Sequence, residues 1–126
     1  MSVLVDSSIW VEYFRGDTAA DDRLEWLIEE GAVAINDLIL AELIPPLTLR
    51  KQTRLISLLK TIPLLPLEID WTGLIADQVL CLRHGINKVG IPDLIIAQNA
   101  RNHGVALFTH DKHFKLMSEH IGIDLF

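Results

Sequence analysis

A single cysteine, Cys81, rules out any internal disulfide, so the fold must be held by packing alone, and a reducing cytoplasm is the expected setting. Long apolar runs are also missing. The most apolar-looking stretch, Ile62-Pro63-Leu64-Leu65-Pro66-Leu67, is bounded by Lys60 and Glu68 and interrupted by two prolines, far short of the roughly 18 residues that span a bilayer. No membrane segment is expected. The N-terminus has no basic region ahead of its apolar residues and Asp6 arrives at once, which is unlike a secretory signal. Positive charge is scarce as well. Eleven Lys and Arg against 17 Asp and Glu leave a formal charge of −6, the opposite of a general electrostatic nucleic-acid binder. An enzyme that meets nucleic acid through bound cations remains compatible with that balance. Linkers, internal repeats and low-complexity tracts are absent too, so residues 1–126 are expected to form one domain.

What is present is a globular composition. Half of the residues are apolar and 22% are charged, enough to bury a core at 126 residues. The mean hydropathy is high for a soluble monomer, which suggests an apolar surface covered by a partner or a second copy. Asp17, Asp21, Asp22, Glu25, Glu29 and Glu30 crowd one early segment and read as a solvated helix face. Arg50, Lys51 and Arg54 are the compact basic group, with two readings: another solvated helix face, or contacts to phosphate.

The pattern alternates between strands and helices. Ser2-Val3-Leu4-Val5 reads as a buried strand ending at Asp6, with Ser7 and Ser8 offering cap hydroxyls to a helix through Phe14. A helix from about Ala20 to Glu30 ends at Gly31. A second strand, Ala32–Ile35, leads to a helix capped by Asn36 or Asp37 and ended or kinked by Pro45-Pro46. A further helix is expected over Leu47–Thr61, and a short edge strand over Leu64–Leu67. Trp71–His84 is helical in pattern. Pro92 is expected at the first position of a helix that Gly104 closes, followed by a strand at Val105–Phe108, a helix at Lys112–Glu119 and a last strand at Ile123–Phe126. Such alternation predicts an α/β fold: a mostly parallel central sheet in a three-layer α/β/α domain.

Ligands of open parallel sheets bind beyond the carboxyl ends of the strands. Asp6 and Asp111 follow strands, Glu42 lies early in the helix after the second strand, and Asp93 sits in the opening turn of its helix. All four carboxylates can therefore face one edge. Gathered so closely they repel, and need protonation or a cation. Oxygen donors of this hardness favour Mg²⁺ or Mn²⁺. Each acid has a plainer explanation too. Asp93 can serve the helix dipole for roughly 0.3–1 kcal/mol, Asp111 can cap the last helix, and Asp6 can be a strand-end turn residue. Glu42 resists such an account: its i−4 and i−3 neighbours are Leu38 and Ile39, an apolar face where an unpaired charge is costly.

These residues carry a resemblance. Val5-Asp6-Ser7-Ser8-Ile9-Trp10, Leu40-Ala41-Glu42-Leu43, Pro92-Asp93-Leu94-Ile95-Ile96-Ala97-Gln98-Asn99-Ala100 and Thr109-His110-Asp111-Lys112-His113-Phe114 resemble, in order, the motifs of the PIN domain. Within that family the chain is most similar to the VapC toxins of toxin–antitoxin pairs, over essentially its whole length. The resemblance implies a Mg²⁺- or Mn²⁺-dependent endoribonuclease acting on RNA, restrained by a small VapB-like antitoxin protein and usually a homodimer. Carried over, Asp6, Glu42, Asp93 and Asp111 are the catalytic and metal-binding quartet, with Ser8 and Thr109 as polar support. Asp6 and Asp93 are implied as direct ligands, with Glu42 and Asp111 completing the site directly or through water. Ile44-Pro45-Pro46 departs from the glycine or basic residue that many relatives place soon after the second acid, and bears on the shape of the next helix.

Two other readings compete. A phosphatase of the haloacid-dehalogenase type wants an Asp two residues after its nucleophile, where this chain has Ser8. A catalytically inactive PIN-like interaction module would not need all four acids. His110 and His113 have i, i+3 spacing but no matching Cys or His pair for zinc. His84 and His103 are placed near helix ends, suited to capping or dipole contacts. Trp10, Trp26 and Trp71 are expected in the core or an interface; Trp10, Tyr13 and Phe14 could also line a groove beside the first acid.

Overall fold

The computed structural model describes residues 1–16 and 18–126, with the backbone alone over 18–21. Three short strands form the sheet: β1 (Val3–Val5), β2 (Val33–Ala34) and β3 (Ala106–Phe108), in the order β2-β1-β3. All pairings are parallel, with Val3 opposite both Val33 and Ala106, and Val5 opposite Phe108. Val3, Leu4 and Val5 are all buried, as a parallel strand covered on both faces requires. Helices α1 (Ser7–Phe14), α2 (Thr18–Glu29), α3 (Asp37–Leu49), α4 (Thr53–Thr61), α5 (Trp71–Arg83), α6 (Ile91–Asn102) and α7 (Lys112–Ile121) complete the three-layer α/β/α architecture.

Several local expectations need correction. The strands expected at 64–67 and 123–126 reduce to single parallel bridges, Ile35–Leu64 and Leu107–Leu125. Pro63 and Pro66 lack the N–H groups that would extend the first. The second follows the left-handed turn at Gly122 and makes two ladder bonds, Leu107 N–H to the Asp124 carbonyl and Phe126 N–H to the Leu107 carbonyl. Ser7 and Ser8 do not cap α1; Asp6 holds the cap position and both serines lie in the first turn. Pro92 is the second residue of α6, after Ile91. Of the early acids, Asp22, Glu25, Glu29 and Glu30 are exposed as expected, while Asp17 and the side chain of Asp21 lie outside the described residues.

The largest difference is at Pro45-Pro46, which lie inside α3 and do not end it. Neither proline can donate to the carbonyl four residues back, so Ala41 and Glu42 lose their ordinary helix donors. The helix continues because Ile39, Leu43 and Leu47 stay buried on one side through it. The break falls instead at Arg50–Gln52, where Lys51 takes φ 56° and the Gln52 N–H closes on the Leu47 carbonyl at 2.9 Å. Arg50 and Lys51 therefore sit on a turn, and Arg54 opens the next helix; they do not share one helix face. Restoring the two donors with Pro45→Ala/Pro46→Ala is expected to stabilise the fold by about 1–3 kcal/mol, the scale of a proline inside a helix. A lower urea midpoint in the double variant would show instead that the rings are needed where they stand.

Trp10 is fully buried, packed with Tyr13 and Phe14, whereas Trp26 and Trp71 are 48% and 60% exposed. His84 and His103 are the C-caps of α5 and α6; the first stacks on His120, and Nε2 of the second lies 3.0 Å from the Pro66 carbonyl. A buried amide chain ties the layers together. Asn36 accepts the Ile39 N–H through Oδ1 at 2.9 Å and donates through Nδ2 to Asn99 Oδ1 at 3.0 Å. Asn99 in turn donates to the Pro66 carbonyl at 2.9 Å, and Gln98 brackets Asp70 through both its N–H and its carbonyl.

Candidate active site

Asp6 leaves the end of β1 buried, its N–H bonded to the Phe108 carbonyl at the end of β3. Its Oδ2 accepts from Ser8 Oγ at 2.9 Å and from Thr109 Oγ1 at 2.8 Å. The same two hydroxyls reach onward: Ser8 Oγ accepts the His110 N–H at 3.1 Å, and Thr109 Oγ1 accepts the Asp111 N–H at 3.0 Å. Five residues from opposite ends of the chain are thus laced into one corner. Asp111 caps α7 by accepting the His113 N–H at 2.9 Å, so its capping explanation holds alongside its place here.

Asp93, half-buried in the first turn of α6, accepts the Gly90 N–H through Oδ2 at 3.2 Å. Its carboxyl is pushed above the ordinary range, first by burial and then by the charges of Asp111 and Asp6; the Gly90 bond and His113 pull the other way. Glu42, on α3, is also pushed up, by partial desolvation and by Asp6 and Asp93. Charge coupling thus links Glu42 with Asp6 and Asp93, and Asp93 with Asp111 and Asp6. Ser8 and Thr109 support Asp6 directly.

The donor set suits a hard divalent cation. Every donor is a carboxylate oxygen, and two carboxylates carry a like-charge penalty that a cation would relieve. Among the described residues, however, no three of the side chains close around a common point tightly enough to hold an ion as they stand. Asp6 Oδ2, Asp93 Oδ2 and Asp111 Oδ1 are engaged by protein donors, and Asp6 Oδ1 has a long 3.5 Å bond from Ser7 Oγ, which leaves the second oxygens of Asp93 and Asp111 and the Glu42 carboxylate as the freer donors. The two histidines of the i, i+3 pair do not share a centre: His110 pairs with Glu12, and His113 Nδ1 lies 2.8 Å from Asp111. Glu12 was not singled out from the sequence. It stands one turn after Ser8, the i+4 position that puts both on one helix face, which was the available signal.

Beside Glu42 a cleft of about 270 Å³ opens between α1 and α3. Val11, Phe14, Leu43, Pro46 and Leu47 line it, together with Arg15 and Arg50. Phe14, one of the three aromatics expected to be able to line a groove there, stands in one wall, and α3 supplies the other because Pro45-Pro46 do not end it.

A parallel three-stranded sheet between helical layers, with acids gathered beyond its strand ends, defines a class of α/β protein with an acidic site at the sheet edge. The PIN domain family model matches residues 3–119, and the chain belongs to that family. No curated protein matches the sequence. Among solved structures, the chain is similar to one in VapBC2 from Rickettsia felis bound to a DNA fragment from their promoter, at 21% identity and TM-score 0.75, covering 100% of this chain and 98% of that one. It is similar to a chain of FitAcB from Neisseria gonorrhoeae at 19% identity and TM-score 0.70, covering 98% and 96%. A toxin-antitoxin complex from Klebsiella pneumoniae contains a chain 25% identical, TM-score 0.65, with 88% of each covered. Among the described residues no helix is long and apolar enough to cross a membrane.

Proposed function

We propose that this protein is a metal-dependent endoribonuclease and the toxin of a toxin–antitoxin pair, with Asp6, Glu42, Asp93 and Asp111 as its catalytic acids. The observation that carries the reading is the mutual electrostatic strain of these carboxylates at the sheet edge, where Glu42 and Asp93 are both held above the ordinary range. Asp6 and Asp93 would hold Mg²⁺ or Mn²⁺, with Glu42 and Asp111 completing the site. A bound ion of this kind supplies charge that offsets the acids and the phosphate, and polarises the attacking water. The chain's own contribution is orientation. Ser8 and Thr109 fix the Asp6 carboxylate in one rotamer, and the Gly90 N–H fixes Asp93. The toxin role, with a VapB-like antitoxin as partner, is supported by the similarity to chains from toxin–antitoxin complexes.

The test is thermal unfolding with and without millimolar Mn²⁺, paired with cleavage of a structured RNA panel. Wild type is expected to gain several degrees with Mn²⁺ and to cut RNA only when the ion is present. Absence of both effects would overturn the reading.

We further propose a homodimer through α5. Trp71, Ile75, Val79 and Leu82 fall at spacings of four, four and three, and are exposed along one side of that helix. A second copy presenting the same stripe would cover both. Ile75→Glu is expected to move sedimentation from dimer to monomer with the fold intact; an unchanged dimer would place the interface elsewhere.

A further inference from the structure

We propose that the cleft between α1 and α3 seats one nucleotide of single-stranded RNA, the residue flanking the phosphodiester at the carboxylate cluster. This inference rests on the ribonuclease reading and adds to it a base-and-phosphate subsite. Glu42, one of the four acids, lines the cleft, so an occupant of the cleft lies against that carboxylate.

Charge selects the class of occupant. Arg15 and Arg50 line the cleft and are exposed, and neither guanidinium has an ion-pair or hydrogen-bond partner among the described residues. Two guanidiniums against the one Glu42 carboxylate invert, locally, the sign of a chain whose formal charge is −6. Uncompensated guanidiniums present forked donors matched to phosphate oxygens. Lys51 and Arg54, both exposed just beyond Arg50, continue the positive charge outward from the cleft, as a strand of successive phosphates would require.

Shape and polarity agree. Most of the lining is apolar, Val11, Phe14, Leu43, Pro46 and Leu47, and includes one half-buried aromatic ring, a residue type on which unpaired bases stack. At about 270 Å³ the cleft lies just below the roughly 300–1,000 Å³ of typical small-molecule sites, a fit to one base and sugar.

The experiment compares wild type with Arg15→Ala/Arg50→Ala and with Arg15→Lys/Arg50→Lys on a short single-stranded oligoribonucleotide, at several salt concentrations with Mn²⁺. In the alanine variant KM is expected to rise by about 10–100-fold while kcat stays within about threefold, since these groups position and do not react. The salt slope of binding should fall by about 1.4, at roughly 0.7 per phosphate contact on a single strand. The lysine variant should recover the salt slope and only part of the KM. Unchanged KM and slope in an alanine variant that still cleaves would overturn the subsite alone. If RNA parameters are unchanged but the variant no longer holds a co-expressed protein partner, the cleft is that partner's groove and the proposal fails. A wild type that neither binds nor cuts the oligomer overturns the ribonuclease reading itself, a result the first comparison cannot mimic.

Discussion

Asp93→Asn is expected to reduce metal-dependent RNA cleavage by at least about 10²–10³-fold, the scale on which one group of a preorganised charge-stabilising set is lost. Asp6→Asn should do the same. The two variants should nevertheless part company in stability. Asp93 is held above the ordinary carboxylate range by burial and by Asp111 and Asp6, so the fold favours its protonated form. Its contribution to stability is complete below the unfolded carboxylate range and is lost as pH rises through the raised folded value. Glu42 acts in the same direction. Metal-free wild type should therefore lose stability between that range and neutrality. Asp93→Asn, with no charge to bury, should escape part of the loss and melt higher than wild type at neutral pH in chelator. Asp6→Asn should gain less or melt lower, because a buried carboxylate whose Oδ2 already accepts from both Ser8 and Thr109 is replaced by a neutral amide oxygen that accepts those bonds more weakly. Mn²⁺ should flatten the pH trend of wild type and leave the Asp93→Asn curve unmoved. Melting curves from pH 5 to 8, with chelator and with Mn²⁺, decide it: an Asp93→Asn protein that melts no higher than wild type at neutral pH would mean that the acids are not strained against one another.

Asn99→Ala is the substitution with the largest expected cost to the fold. Asn99 is buried and bridges two layers by accepting from Asn36 and donating to the Pro66 carbonyl. Truncation leaves the Asn36 amide and that carbonyl without these bonds, each worth about 1–3 kcal/mol of desolvation when orphaned; His103 retains one contact to the carbonyl. A total of about 2–5 kcal/mol is expected, a large share of the stability of a domain this size. The consequence reaches the site as well, since Asn36 caps the helix that carries Glu42. Urea unfolding of Asn99→Ala beside Asn36→Ala and the double variant measures it. Strictly additive losses would mean that the two amides do not act as a unit.

Much of this was legible in the chain because parallel strands announce themselves. Val3-Leu4-Val5 and Leu107-Phe108 are buried, with Ala106 half-buried before them, so these runs are apolar without alternation, and the acids that follow them stand out. Asp6 and Asp111 stood out for that reason, whereas Glu42 and Asp93 drew notice as carboxylates within apolar helical stretches. Other features were hidden because they depend on distant partners. Gln98 and Asn99 read as ordinary polar residues of a helix; what they bond, Asp70, Asn36 and Pro66, lies 28 to 63 positions away. Pro45-Pro46 misled in the opposite sense. Local sterics argue for an end or a kink, but burial of Leu43 and Leu47 outweighed two missing hydrogen bonds, and the helix runs on to form a wall of the cleft.

The central position of β1 has a temporal consequence. Thr109, which holds Asp6, is 103 residues away from it, and the third strand of the sheet arrives with it. At about 5–20 residues per second, a ribosome delivers Asp6 roughly 5–20 seconds before the hydroxyl that orients it. During that interval β1 has its β2 neighbour and an open flank, and Asp6 lacks Thr109 and Asp111. A nascent chain of this topology therefore carries an incomplete acidic corner until its third strand and the residues just after it have emerged.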